Sequence, residues 1–240
     1  MPFVLSSCAD IRGLMKLETR VTELLTAIVP HVVFDGWSQA SFDCAVADLN
    51  MDPGLAVLLA PRGAVDLAVA YHRQGDTLML ASYKIAETEG LKIREKITLA
   101  IRLRVEAISD KEAVRRSSSL FALPRFALDG AKLIWGTADH IWMALGDSSQ
   151  DVNWYSKRAT LVAVYGATIL FWLGDDSSSN EETWSFLDRR IENVMQIETS
   201  KAQIRLNKPL SAALAAPLWL LSKIKRPVMR DDLPGRGPET

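Results

Sequence analysis

Two cysteines, Cys8 and Cys44, are all that this chain of 240 residues contains, and they lack a C-x-x-C spacing. So few exclude a disulfide framework and point to a reducing compartment. Long apolar runs are also missing. The longest uncharged stretches, 159–174 and 209–222, fall short of the ~20 residues that span a bilayer, and the second is interrupted by Pro217. The start, MPFVLSSCADIRGLMK, has neither the apolar core of a signal peptide nor the acid-free, Arg-rich character of a transit peptide. The expectation is a soluble or peripheral protein, not an integral one.

Catalytic furniture is equally scarce. His31, His72 and His140 are dispersed, and none follows a Glu at the E-x-x-H spacing of a carboxylate-bridged di-iron site. There is no G-x-S-x-G elbow, no phosphate loop and no G-x-G-x-x-G. The expectation is that there is no enzyme, no metal and no cofactor here, and that the histidines are surface or satisfied core residues. Period-2 strand patterns are absent as well, so the fold expected is all-α.

Helical periodicity, by contrast, runs almost throughout. Leu17, Val21, Leu24, Leu25, Ile28 and Val32 recur at three- and four-residue spacing, predicting a first helix that ends near Asp35-Gly36. Ser41 is a candidate cap for a short helix through Leu49, and Asp52-Pro53 can open another. A longer helix is expected from Arg62 to the Tyr83 region. Next comes an amphipathic one over 91–108, with Ile93, Ile97, Ile101 and Val105 in one row. Asp110 should cap a helix that stops before Pro124, itself placed to start the next, and 153–173 and 180–206 complete the body.

Charge is unevenly spread. The net is −1, but residues 201–230 hold seven basic side chains and no acid, and the first two hundred residues are net negative. An acidic body with a basic C-terminal segment suggests that this segment meets an anionic surface. Within it Leu206, Leu210, Leu214, Leu218, Leu221 and Ile224 form a helical stripe, with Trp219 beside it and Lys208, Lys223, Lys225 and Arg226 at its ends. The prediction is an amphipathic helix over 207–226 lying in a membrane interface, with Leu210, Leu214, Leu218, Trp219, Leu221, Lys223 and Lys225 as its contacts. Residues 227–240 read as a disordered tail.

The middle of the chain is the most specific part. G-D-x-S-x-D-x-N-W-Y-x-K-R opens at Gly146 and is followed by Y-x-A-T at 165–168 and E-x-T-W-x-F-L-x-R-R-I-x-N-V-M at 181–195. This order closely resembles the coenzyme Q (ubiquinone) biosynthesis accessory lipid-binding proteins of the Coq-nine type. The N-terminal layout is a helix ending in Phe34-Asp35-Gly36-Trp37, then two short helices and a long one. It resembles TetR-family regulators, whose architecture the Coq-nine proteins share.

The resemblance implies a TetR-like protein with a helix-turn-helix-like part over 1–85 and a lipid-binding part over 86–206. It implies a non-enzymatic helper, a bacterial member that is cytoplasmic and peripheral to the inner membrane, and a homodimer. Its ligand would be an isoprenoid quinone lipid and its partner the di-iron demethoxyubiquinone hydroxylase.

The apolar helix 159–173 carries large residues round nearly its whole circumference, which predicts burial on all sides. With the 133–145 segment it is a candidate wall for a closed cavity in the C-terminal half. The candidate lipid-facing residues are Leu133, Ile141, Trp142, Leu161, Tyr165, Thr168, Ile169 and Trp172. Trp154 and Tyr155 diverge by ~100° on their helix, so at least one should lie near the surface. The resemblance implies that they, with Asp151, Asn153 and Arg158, form the hydroxylase-docking surface. The Asp188-Arg189-Arg190 cluster is expected to pair with Glu181, Glu182 or Glu192.

A ligand-responsive DNA-binding regulator is the rival reading. A recognition helix needs polar and basic side chains for bases and phosphates. The third helix here, from Pro53 to Ala60, has none, and 41–60 contains three aspartates and no Lys or Arg. No nucleic-acid partner is therefore expected.

Overall fold

The computed structural model describes residues 8–206, with side chains placed for 17–196. The proposed membrane helix, including Leu210, Leu214, Leu218, Trp219, Leu221, Lys223 and Lys225, lies outside the described residues, as does the tail. Nine α-helices and one short 3₁₀ turn make up the described residues, without a strand. They are α1 (Cys8–Asp35), α2 (Gln39–Asp48), α3 (Pro53–Leu59), α4 (Ala64–Ile85) and α5 (Ile93–Glu106). The remainder are α6 (Lys111–Phe121), α7 (Ala127–Ala144), α8 (Val152–Gly174) and α9 (Glu181–Leu206), with the 3₁₀ turn at Ser178–Asn180. No single helix among the described residues is long and apolar enough to cross a membrane.

The caps explain most of these boundaries. Asp52, Asp110 and Asp151 each accept a hydrogen bond from a backbone N–H in the first turn of α3, α6 and α8. Glu95 reaches back to the Lys92 N–H at the start of α5. Asp175 accepts from the N–H groups of Ser177 and Thr183, tying the α8–α9 turn to the first turn of α9. Those bonds, with the Ser177 and Thr183 hydroxyls, hold its carboxyl below the ordinary range.

Two boundaries differ from expectation. Ser38, not Ser41, caps α2, and Ser41 sits buried inside the helix with its hydroxyl donating to the Gly36 carbonyl at 2.7 Å. Capping needs extended backbone at the cap residue, and here Ser38 is the one that has it. α7 likewise begins at Ala127 and not at Pro124, because Leu123 and Phe126 first close backbone turns onto Leu120 and Leu123.

Two apolar clusters hold the helices together. The first gathers Leu24, Leu25, Ile28 and Val32 of α1 with Trp37, Phe42 and Ala56, and takes in Leu67 of α4 and Ala113 of α6. The stripe on α1 buries only from Leu24 onward, and Leu17 is exposed. The second draws Ile101 and Val105 of α5 together with Ile141, Leu161, Val164, Trp172 and Leu187. α4 serves both clusters, giving Leu67 and Ala68 to the first, Met79 and Tyr83 to the second. Trp37 crosses to α6 with an indole N–H donating to the Ala113 carbonyl at 3.1 Å.

α8 is not buried all round. Leu161, Val164, Thr168 and Trp172 are enclosed, but Leu170 is 67 % exposed, and Ala159 and Ala163 face solvent. At Gly130 α7 passes close against α6, since a Cβ there would lie 2.7 Å from Phe121 Cβ. That atom is fixed to the backbone, so the helices themselves would have to move. Gly130→Ala should therefore destabilise the fold by about 1–3 kcal/mol, read as a lowered urea midpoint at unchanged slope.

Candidate functional site

α1, α4, α5, α6, α7 and α8 do not close completely on one another. They leave a cavity of about 710 Å³, within the ~300–1,000 Å³ range of small-molecule sites. Its apolar wall includes Leu25 and Val29 of α1, Val114 and Phe121 of α6, and Ile134 of α7. Small residues line it too, Gly75 on α4, Gly130 and Ala131 on α7, and Gly166 on α8, and a Cβ at Gly166 would meet nothing within 4 Å. Exposed Leu78 and Leu170 stand at its rim. The cavity thus lies between the two parts of the chain and opens at the rim, where a closed cavity within the C-terminal half was expected.

Of the candidate lipid-facing residues, Leu133, Tyr165 and Ile169 line the cavity. Ile141, Trp142, Leu161, Thr168 and Trp172 do not, because their faces of α7 and α8 turn into the second core. Thr168 spends its hydroxyl on the Val164 carbonyl of its own helix. The missed lining comes from α1, α4 and α6. Their amphipathic pattern is that of ordinary core helices, and only packing decides that these faces meet a gap.

One wall of the cavity is polar. Arg104 of α5 donates from Nε to Asp76 Oδ1 at 2.6 Å and from Nη2 to the His72 carbonyl at 2.9 Å. Asp76 also accepts from the Thr137 hydroxyl at 2.9 Å, which itself meets His72 Nε2 at 2.9 Å, and His140 Nδ1 stands 3.5 Å from Asp76. Burial would raise the Asp76 carboxyl, but His140, Arg104 and His72 together hold it below the ordinary value. Burial and then the Arg104 charge push His72 down to about 4, so it is neutral at pH 7. Burial holds the Tyr165 phenol above its usual value, with Asp76 adding to the effect and Arg104 opposing it.

A second feature lies where the α7–α8 loop enters α8. Trp154, Tyr155 and Trp135 form a half-buried aromatic group, with centroids 4.8 Å apart for Trp154–Tyr155, 6.0 Å for Trp135–Trp154 and 6.5 Å for Trp135–Tyr155. Trp135 belongs here, whereas its segment was expected to flank the cavity helix. Asp151 and Asn153 are exposed beside the group, the Asn153 amide donating to Asp151 Oδ2 at 2.9 Å.

Arg158 departs from its expected role at the surface. It is only 2 % exposed, and it donates to Asp139 at 2.6 Å, to Asp147 at 3.0 Å and to the Trp154 carbonyl. Its guanidinium lies 4.0 Å from the centroid of the Trp154 ring. It positions the aromatic group from beneath and offers nothing to a partner. Burial would raise Asp147, but Lys157, Ser149 and Arg158 outweigh this and hold its carboxyl well below the carboxylate range.

Other charges are spoken for. In the cluster expected to pair with Glu181, Glu182 or Glu192, Asp188 meets Arg102 of α5 at 4.0 Å and Arg190 lies over Phe186. Arg62, the first cation after α3, is bound to Asp66 and Asp129 at 2.8 Å each. α3 itself exposes Val57 and Leu58. Among the described residues, no group of three or more His, Cys, Asp or Glu side chains is placed to hold a metal ion.

The family model described as COQ9 matches residues 127–198, which are α7, α8 and most of α9. The chain is 29% identical over 213 residues to the probable ubiquinone biosynthesis protein coq9, mitochondrial, of Dictyostelium discoideum, covering 85% of this chain and 67% of that one. It is 32% identical over 193 residues to the ubiquinone biosynthesis protein COQ9, mitochondrial, of Rattus norvegicus, covering 76% and 61%. The Xenopus tropicalis protein of the same name is 30% identical over 189 residues, covering 75% and 59%. The chain thus spans about three fifths to two thirds of the length of these relatives. In structure it resembles a TetR transcriptional regulator from Nitrosomonas europaea, with a TM-score of 0.61 at 18% identity over 72% of this chain and 97% of that one. The TetR-like fold follows from this. The segment that the COQ9 model matches supplies the aromatic group and the α7–α8 side of the cavity, and the opposite wall comes from α1 and α4–α6.

Between pH ~6.5 and about 4, an unfolded chain binds a proton at His72 that the folded protein refuses. Stability should be level above that window and fall as pH drops through it. Going from pH 7.5 to 5, this one residue should cost about 2 kcal/mol. His72→Gln should show a smaller acid loss than wild type in paired urea titrations. Arg158→Ala strands two carboxylates and should cost about 3–5 kcal/mol. Trp154→Ala, on a half-exposed side chain, should leave a cooperative fold, and calorimetry distinguishes the two.

Proposed function

We propose that this protein is a non-catalytic lipid carrier of ubiquinone biosynthesis that holds an isoprenoid quinone precursor and presents it to a membrane-associated hydroxylase. The observation that carries the reading is the 710 Å³ cavity with its largely apolar wall, in a chain whose relatives bear the name ubiquinone biosynthesis protein. Apolar surface facing such a gap gains by taking an apolar guest, at roughly 25 cal/mol per Å² removed from water. The rim leucines Leu78 and Leu170 let a tail longer than the cavity leave it. The aromatic group at the start of α8 supports the docking half of the proposal, because half-exposed Trp and Tyr held rigidly from below are common interface anchors. Membrane attachment would fall to 207–226, and the carrier would act as a homodimer at the membrane surface.

A Cβ at Gly166 meets nothing within 4 Å, and the residue lines the cavity, so Gly166→Trp fills space without crowding the core. Native mass spectrometry of protein isolated gently from membranes should show near-stoichiometric lipid in wild type and a large loss in this variant. Trp154→Ala should keep its lipid and lose about thirtyfold in affinity for the hydroxylase. Wild-type protein free of lipid after gentle isolation would refute the carrier.

A further inference from the structure

The cavity has a built polar end whose donors are not used up. Arg104 and Tyr165 are 2 % and 3 % exposed, and both line the cavity. Arg104 commits Nε and Nη2 to Asp76 and the His72 carbonyl. Its Nη1 makes no hydrogen bond to the described residues. It lies against Gly75, another wall residue, so closely that a Cβ there would stand 2.5 Å away. The Tyr165 hydroxyl likewise donates to none of the described residues, and its ring lies 6.0 Å from the Arg104 guanidinium carbon. Two strong donors at one end of an apolar space need an acceptor there, water while the space is empty or an oxygen of the guest when it is filled.

Charge narrows what can match them. Arg104 is balanced by Asp76 at 2.6 Å, and His72 is neutral, so these three groups carry no net charge. An anionic head would bring an uncompensated charge into a buried place a few ångströms from the Asp76 carboxylate. A neutral oxygen acceptor brings none. The Tyr165 phenol keeps its proton at neutral pH and can donate.

Resting on the carrier reading, we infer that this end receives the ligand head first. A neutral ring carbonyl or phenol-type oxygen accepts from Tyr165 Oη and Arg104 Nη1, and the apolar tail runs toward the rim at Leu78 and Leu170. The pair is a specificity element that selects oxygen-headed apolar molecules over plain hydrocarbons and over lipids headed by a carboxylate or phosphate. It also sets the orientation of the guest, since a tail-first ligand would leave both donors facing methyl groups.

The test uses the full purified chain and three probes with the same ten-carbon tail: decyl-1,4-benzoquinone, decylbenzene and decanoate. Calorimetric titration should show the quinone binding about fivefold or more tighter than decylbenzene, with decanoate weakest. Tyr165→Phe should lose that fivefold for the quinone and nothing for decylbenzene, whose unchanged affinity reports an intact cavity. The carbonyl stretch of the bound quinone should move to lower wavenumber in wild type and part of the way back in the variant. Equal affinities for quinone and decylbenzene with an unshifted carbonyl would overturn the inference and leave the carrier reading standing. Preference for decanoate would overturn the neutral-oxygen assignment. Binding of none of the probes would sink the cavity reading and this inference with it.

Discussion

The buried pair of Asp76 and Arg104 is the constraint on which the arrangement of the other helices rests. Each charge has left water, and the pair is tolerable because Thr137 donates to the carboxylate, His140 stands 3.5 Å from it and the His72 carbonyl accepts from the guanidinium. With Arg104 on α5 and these partners on α4 and α7, satisfying one carboxylate sets the rotation of three helices at once. The guanidinium also lies where a side chain on residue 75 would be, which is why the middle of α4 is a glycine despite its cost in helix propensity. α4 contributes to both apolar clusters, and this pin therefore sits at the joint between the two parts of the molecule.

A pinned joint permits a gap. Six helices surround a cavity whose wall includes Gly75, Gly130, Ala131 and Gly166, and helices with so little side chain on a shared face would close up if packing alone decided. Directional polar ties resist that closure because moving the helices together breaks bonds to buried charge. The Arg158 cluster plays a similar part at the start of α8, where Asp139 and Asp147 hold the guanidinium under Trp154. Apolar burial supplies the bulk of the stability, and the two buried arginines decide where space remains and which aromatic faces stay accessible.

α8 connects the two features. Tyr155 and Tyr165 are ten residues apart on one unbroken helix, roughly 15 Å along its axis. The aromatic group and the cavity wall are thus parts of one rod. In the proposed carrier, a partner seated on Trp154 and Tyr155 would bear on the same helix that contacts the bound guest through Tyr165 and Ile169.

Much of this was open to a reading of residues in order. Apolar spacing determined the helices, because a helix registers its buried face locally at three and four residues, and Asp52, Asp110 and the end of α1 at Asp35 fell where they were expected. The GDxSxDxNWYxKR run likewise located the aromatic pair, whose divergence on a helix follows from geometry alone. Tertiary structure decided the rest. Leu161 and Ile169 are equally apolar and sit on one helix, yet one enters the core and the other faces the cavity, because that depends on which neighbour lies opposite. Arg158 read as a surface cation, but two aspartates from α7 and the following loop converge on it and make it a buried peg. Asp76, Arg104 and Thr137 carry no mark in the sequence at all. They become a unit only when three helices meet, since the cost of a buried charge is settled by partners distant along the chain.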